Sequence, residues 1–304
     1  MFRAPLFALA TLGLVAAVAN AAVPGTAYDN IIVFGDSLSD VGNDYAATSG
    51  AEPAAPYFDG RFSNGQLWVE HVAGAYGKTL TPSLSGGTDF AFGGAETTLD
   101  RPIDSVVIPS LKTQSISYLV SAGGRSDPNA LYVIWGGGND VFCSIPVTTV
   151  CSANGTASPS ALPAKFAART FGIIERLKVT GARSFLVVGV PDVGLTPAAI
   201  ASGQSAAATT LARQLNVSLV ATLADPGLNS GATIAFVNVF KVMDAIIGGT
   251  THFAFTDVAD PCYGGSGTSF CADPDHTFFW DAIHPTSFGH AMIGVEAMKP
   301  LPLK

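Results

Sequence analysis

Residues 28–40 read YDNIIVFGDSLSD and join an apolar run to a tight turn that carries a serine. Residues 28–34 are rich in β-branched side chains and are followed at once by Gly35-Asp36-Ser37, a pattern that predicts a buried strand ending in a turn. Further runs of the same kind, each bounded by Gly, Pro or Asn, cover residues 130–135, 184–190 and 232–237. Their continuous apolar character predicts buried parallel strands.

Stretches with a helical spacing of apolar residues alternate with these strands, at residues 67–76, 114–120, 164–179 and 206–223. This alternation predicts an α/β fold, a three-layer α/β/α sandwich with a central parallel sheet. Ligands of such sheets bind beyond the carboxyl ends of the strands, so the residues that follow Phe34, Trp135 and Val190 are candidates for a site. The aperiodic segments rich in Pro, Gly and Ser are predicted loops around that edge, at residues 48–64, 145–163 and 257–277.

The N-terminal residues 1–21 have the features of a secretory signal peptide: Arg3, an apolar run, and small residues at Ala19 and Ala21. The run is shorter than the roughly 20 residues that span a bilayer. We therefore expect cleavage after Ala21, one domain over residues 22–304, and a secreted protein, extracellular or periplasmic, without stable membrane insertion. The formal net charge of −8, without a basic cluster, argues against nucleic acid or anionic membrane surfaces as partners.

The four cysteines form two close pairs in the sequence, Cys143 with Cys151 and Cys262 with Cys271. Because an exported chain meets an oxidising compartment, two local disulfides are the favoured interpretation. The crossed pairings stay open, since four cysteines allow three connectivities. A zinc site is disfavoured because neither pair has the tight Cys-x-x-Cys spacing.

Two polar motifs carry residues suited to nucleophilic catalysis. Ser37 follows the first predicted strand, and Asp281 and His284 are separated by two residues near the C-terminus. A serine hydroxyl needs a base to become a nucleophile, and an imidazole base needs a carboxylate to fix its tautomer. Each motif alone is more often a plain turn or a helix start. Their joint occurrence, in this order, favours a Ser37–His284–Asp281 triad.

Acyl transfer also requires hydrogen-bond donors aimed at the oxyanion of the transition state. Residues 90–95, FAFGGA, can bring an unhindered backbone N–H close to a ligand because glycine has no side chain. Residues 136–140, GGGND, follow a predicted strand and place the Asn139 amide at the same edge. Alone, either segment would be interpreted as a loop.

In these four segments the chain resembles the GDSL-type SGNH hydrolases, whose blocks are a GDS nucleophile, a glycine, a GxND and a DxxH. The resemblance implies a flavodoxin-like SGNH fold with Ser37 as nucleophile, His284 as base and Asp281 as the acid that orients it. It also implies an oxyanion hole formed by the Ser37 N–H, the Gly94 N–H and the Asn139 side chain. The register favours Gly94, although the adjacent Gly93 is the alternative.

Residues 56–65, PYFDGRFSNG, resemble a segment of the lecithinase/haemolysin-like and plant-type members of that family. Within it, Arg61 is a candidate partner for Asp36 or Asp40 beneath the site, and a solvated loop arginine is an equal alternative. His71, His252, His276 and His290 share no metal-ligand spacing with other ligand residues, so surface or packing roles are expected for them.

Together these patterns predict hydrolysis of a small-molecule or lipid carboxylic ester through an acyl-enzyme, without a cofactor. The same intermediate serves an esterase, lipase, phospholipase or acyltransferase. Apolar residues in the predicted loops weakly favour an apolar acyl group. The alternatives are a carbohydrate acetylesterase and, from another class, a secreted binding protein that lacks catalysis.

Overall fold

The computed structural model describes residues 28–103, 106–145, 147, 157–251, 253–265 and 270–302. The predicted signal peptide lies outside the described residues. The strands, in chain order, are β1 Ile31–Gly35, β2 Arg101–Ile103, β3 Val106–Ile108, β4 Leu131–Trp135, β5 Ser184–Val188, β6 Thr233–Val237, β7 Asp257–Pro261 and β8 Thr277–Phe279. The α-helices are α1 Asn43–Ala47, α2 Trp68–Ala75, α3 Leu111–Ser121, α4 Gly138–Ser144, α5 Leu162–Thr180, α6 Pro197–Ala201, α7 Ser205–Leu223, α8 Pro226–Asn229, α9 Val239–Ile247 and α10 Ser287–Met298.

The central sheet has the strand order β1-β4-β5-β6, and all its pairs are parallel. Residues 88–90 extend it on the free side of β1, because the Val33 N–H donates to the Thr88 carbonyl and the Phe90 N–H donates to the Val33 carbonyl. In the register, Gly35 at the end of β1 lies opposite Trp135 at the end of β4. The carboxyl ends of these strands therefore share one edge.

Side chains alternate between the two faces of this sheet, as the period of a strand requires. On one face, Ile32, Phe34 and Tyr132 pack with α3, α5 and α7. On the other, Ile31, Val33 and Trp135 pack with α2 and α10. Both faces are covered by helices, so the prediction of a three-layer α/β/α fold is confirmed.

The predicted strands and helices are all present, but the prediction of an irregular segment at residues 257–277 is wrong at its start. Residues Asp257–Pro261 form β7, which pairs in parallel with β8. The sequence of this strand has no alternation of apolar and polar residues, and its residues are half-buried or exposed. Pairing with β8 rather than burial of one face therefore holds the strand in place. No helix in the described part of the chain is long and apolar enough to cross a bilayer.

A disulfide joins Cys262 to Cys271 just after β7. Next to it, Tyr263 and Phe270 form an antiparallel bridge, and both rings stack on Trp280 at centroid distances of 5.7 Å. Cys143 is also disulfide-bonded, whereas Cys151 lies outside the described residues. The disulfide thus supports the aromatic wall that precedes Asp281 in the chain.

Several buried carboxyls lie in the turn that follows β1. Asp40 accepts the N–H groups of Gly42 and Gly93, at 2.8 and 3.1 Å. Burial raises the pKa of Asp36 to about 7 and that of Asp40 to about 6. Burial together with repulsion from Asp40 raises the pKa of Asp44 to about 8. These groups therefore carry protons in the folded protein at pH values where free carboxyls are ionised.

We expect the free energy of unfolding to fall as pH rises from about 6.5 to about 8.5. Unfolded carboxyls release their protons near pH 3.9, so in this window the folded state binds more protons than the unfolded state. Urea unfolding at a series of pH values measures the slope. Asp44→Asn should flatten it, and Asp29→Asn, at an exposed position, should not. A free energy of unfolding that rises over the window would contradict the expectation.

Candidate active site

The end of β1 is fixed by the Gln114 side chain from α3. The Gly35 N–H donates to Gln114 Oε1 at 2.9 Å, and Gln114 Nε2 donates back to the Gly35 carbonyl at 2.8 Å. The chain then turns at Asp36, whose carbonyl accepts the N–H groups of Ser39 and Asp40. This closed turn holds Ser37 at the carboxyl edge of the sheet.

Ser37, His284 and Asp281 form a continuous chain of hydrogen bonds. His284 Nε2 lies 2.8 Å from Ser37 Oγ, and His284 Nδ1 lies 2.7 Å from Asp281 Oδ2. The other carboxylate oxygen, Oδ1, accepts the backbone N–H groups of Ile283 and His284 at 2.8 and 2.7 Å. The two sequence motifs, 247 positions apart, therefore meet in hydrogen-bonding geometry.

The electrostatic environment of this pair favours charge on both partners. Burial acts to raise the pKa of Asp281, but the attraction of His284 and the hydrogen bonds it accepts outweigh burial and lower the pKa to about 2. Burial acts to lower the pKa of His284, but the attraction of Asp281 raises it above its ordinary value. An ionised carboxylate and an imidazole that readily takes a proton are the states expected of an acid–base pair.

The Gly93-Gly94 turn distinguishes the two candidate donors. The Gly93 N–H already donates to Asp40 Oδ2 at 3.1 Å. The Gly94 N–H makes no hydrogen bond within the described part of the chain. Gly94 has φ +72°, and a Cβ there would clash with the guanidinium group of Arg101. The left-handed backbone at this position favours glycine, and of the two candidate donors the Gly94 N–H is the one without a hydrogen bond among the described residues.

Asn139 lies in the first turn of α4, directly after the carboxyl end of β4. Its amide nitrogen donates to the Ala95 carbonyl at 3.1 Å, next to the glycine turn. Asp140 Oδ2 accepts both the N–H and the hydroxyl of Thr97 at 2.9 Å. These bonds hold α4 against residues 94–97, so the two segments with candidate oxyanion donors lie side by side.

A model of the GDSL-like Lipase/Acylhydrolase family matches residues 31–296. The chain belongs to this family. Membership places it among enzymes that hydrolyse esters.

Two relatives and one solved structure show how far this GDSL family protein is similar to individual proteins. It is 28% identical over 260 residues to a phosphatidylcholine-sterol acyltransferase from Aeromonas hydrophila, covering 84% of this chain and 71% of the relative. It is 27% identical over 346 residues to the esterase EstA from Pseudomonas aeruginosa, covering 96% of this chain but only 50% of EstA. The crystal structure of LAE5, an alpha/beta hydrolase enzyme from a lake metagenome, shares the fold at a TM-score of 0.50 and 13% identity, over 90% of this chain and 96% of LAE5.

The pairing of Arg61 with Asp36 or Asp40 is wrong for this GDSL family protein. Arg61 donates instead to Glu70 on α2 at 2.8 Å, and Glu70 also accepts the Leu67 N–H. The loop places Arg61 beside the start of α2. The carboxylates of Asp36 and Asp40 instead accept backbone N–H groups. Arg61 therefore anchors the loop and does not neutralise the acids beneath the serine.

Sequence reasoning assigned no role to two loop residues that contact Asp281 and His284. The Tyr57 hydroxyl donates to Asp281 Oδ2 at 2.7 Å. The Phe62 ring lies 5.3 Å from the His284 ring at an interplanar angle of 34°. Both belong to the segment 56–65, and its resemblance to a subgroup of the family was the available signal.

A narrow pocket with mainly apolar walls opens beside Ser37 and Asn139. One wall is a single face of α9, where the apolar residues follow the helical spacing i, i+3, i+4, i+7; these residues are Val239, Val242, Met243 and Ile246. Leu38 and Ile283, the neighbours of the serine and the histidine, line it near those residues. The pocket thus offers an apolar group a place next to Ser37.

None of the other histidines in the described part of the chain is hydrogen-bonded to Ser37, His284 or Asp281. His290 is fully buried, accepts the Trp68 N–H and has its pKa lowered to about 3 by burial. His71 is half-buried, His276 is paired with Asp273, and His252 lies outside the described residues. Among the described residues, no group of three or more His, Cys, Asp or Glu is placed to hold a metal ion.

We expect the His284 imidazole to titrate above pH 6.5 in NMR spectra of the folded protein. In Asp281→Asn the attraction of the carboxylate is lost while burial stays, so the pKa should fall below 6.5. Equal His284 curves in both proteins would show that Asp281 does not govern the charge of this imidazole.

Proposed function

We propose that this chain hydrolyses carboxylic esters through an acyl-enzyme formed on Ser37. The observation that carries the proposal is the hydrogen-bonded chain from Ser37 Oγ through His284 to Asp281. A catalytic serine requires a base within hydrogen-bonding reach and an acid that orients the base, and both requirements are met.

In the proposed reaction, Ser37 Oγ attacks the ester carbonyl carbon while His284 Nε2 takes the hydroxyl proton. The developing oxyanion is stabilised by the Ser37 N–H, the Gly94 N–H and the Asn139 amide, each such donor being worth about 3 to 4 kcal/mol. Collapse breaks the bond to the leaving alcohol, which receives the proton from His284. Water, deprotonated by His284, then attacks the acyl-enzyme and releases the carboxylic acid and free Ser37.

We propose that the acyl group is an alkyl chain longer than acetyl and that it occupies the pocket lined by α9. The pocket walls beside Ser37 are mainly apolar, and burying each methylene contributes about 0.8 kcal/mol. An acetyl group would leave such a pocket largely unused, which favours an esterase or lipase over a carbohydrate acetylesterase. Transfer of the acyl group to an alcohol shares the same intermediate, and one relative is named an acyltransferase.

We also propose that the chain is exported after removal of residues 1–21. The Cys262–Cys271 disulfide supports this, because disulfides persist mainly in oxidising compartments.

The first test of the mechanism is Ser37→Ala, assayed with p-nitrophenyl esters from acetyl to palmitoyl. Hydrolysis should fall to background, because the hydroxyl that forms the acyl-enzyme is gone, while the unfolding midpoint should stay close to that of the wild type. Ser121→Ala, which removes a hydroxyl from the exposed end of α3, should keep full activity. Undiminished ester hydrolysis by Ser37→Ala would refute the proposal.

The same esters test the acyl pocket through Val242→Phe. A larger side chain on the pocket face of α9 should reduce kcat/KM for long acyl esters by about 10-fold or more, because the last methylenes lose their place, and spare acetyl ester. Ala245→Phe, on the same helix but outside the pocket, should keep the wild-type profile. Equal profiles for Val242→Phe and the wild type would place the acyl chain elsewhere.

A further inference from the structure

The segment 57–64 is bound to the turn 280–287 by side chains along its length. The Tyr57 hydroxyl donates to Asp281 Oδ2 at 2.7 Å. Ser63, which is fully buried, donates to the Pro285 carbonyl at 2.9 Å, and Asn64 Oδ1 accepts the Ser287 N–H at 2.7 Å. These contacts lie before and after His284 in the turn. We name residues 57–64 the clamp segment.

The clamp segment also reaches the other side of the site. The Phe62 ring packs against the His284 imidazole. A Cβ on Gly93 would clash with the same Phe62 ring. Phe62 therefore lies between the base and the glycine turn that carries the Gly94 donor, and one segment contacts both parts of the site.

The clamp segment is itself held in place at two points. The Arg61–Glu70 ion pair joins it to α2, with side chains that are 16% and 11% exposed. The Tyr57 ring packs edge-on against Trp280 at 6.3 Å and Tyr263 at 5.9 Å. A hydroxyl on a ring that is packed in this way has a defined direction, so its bond to Asp281 is a fixed contact rather than a chance approach.

We propose that Tyr57 is a positioning residue of the acid–base pair: its hydroxyl fixes the Asp281 carboxylate and moderates the negative charge that faces His284. The inference rests on the proposed function of Ser37, His284 and Asp281. A carboxylate has about four acceptor positions. Here two backbone N–H groups occupy Oδ1, and the His284 Nδ1–H and the Tyr57 hydroxyl share Oδ2.

The direction of the effect follows from this sharing. The hydrogen bond from Tyr57 is one of the contacts that lower the pKa of Asp281. Without it the carboxylate is more basic and attracts the imidazolium proton more strongly, so the pKa of His284 should rise. Asp36, which also attracts His284, and the buried His290, which interacts with it, are the same in the proteins with and without this hydrogen bond. Burial and the negative charge of Asp281 raise the pKa of Tyr57, which keeps the phenol protonated as a donor.

The test is Tyr57→Phe, which keeps the ring and removes the hydroxyl, assayed by the pH profile of ester hydrolysis. We expect kcat to fall about 10-fold, as for the loss of a hydrogen bond to a charged group, with KM changed by less than about 2-fold because the substrate pocket is untouched. The acidic limb of the kcat/KM profile should move up by about half a pH unit. The matched control is Tyr45→Phe, because the Tyr45 hydroxyl makes no hydrogen bond within the described residues and its side chain is 42% exposed.

A double-mutant cycle separates positioning from a general loss of structure. In an Asp281→Asn background, Tyr57→Phe should add less than about 2-fold to the loss, since the group through which it acts is already changed. Full additivity, or an unshifted pH profile in a Tyr57→Phe protein that melts like the wild type, would overturn the inference while leaving Ser37 as the nucleophile. Ester hydrolysis that survives Ser37→Ala would instead overturn the proposed function.

Discussion

In-register parallel pairing of β1 with β4 is the constraint on which the rest of the site depends. Because Gly35 lies opposite Trp135, the turn with Ser37 and the helix with Asn139 start at the same edge of the sheet. A slip of one residue would exchange the side chains that β1 presents to the two helical layers, so that Ile31 and Val33 would take the places of Ile32 and Phe34. The hydrophobic layers on the two faces thus help to set the position of the polar groups at the carboxyl edge.

Two carboxyls near the serine show how partners decide the charge. Burial raises the pKa of Asp36 to about 7, whereas Asp281, which is also buried, is lowered to about 2. The difference lies in the imidazole and the several donors around Asp281. Asp281 is therefore the carboxylate that stays ionised beside His284, while Asp40 accepts backbone N–H groups of the turn that follows β1.

The sequence was sufficient to predict the parallel sheet, its covering helices and the three residues that meet at its edge. Apolar runs and helical spacing are local properties, and the order of four short motifs carries the family resemblance. The contact of Tyr57 with Asp281 joins residues 224 positions apart, and no local pattern encodes it. The Arg61 partner was predicted wrongly for the same reason, since the path of an irregular loop decides which acid it reaches. Helix α9 was not predicted, although its nine residues have a clear apolar spacing. It follows β6 so closely that its apolar residues could not be separated from those of the strand.

The proposed nucleophile and its base lie near opposite ends of the described chain. Ser37 follows the first strand and His284 comes shortly before α10, 247 positions later. A growing chain that has already formed β1, β4, β5, β6 and α9 carries the serine and one wall of the acyl pocket but has no base. Under the proposed function, such a chain is inert toward any ester it meets during synthesis. Under the same proposal, the triad is complete only once the turn with His284 has joined the turn that holds Ser37.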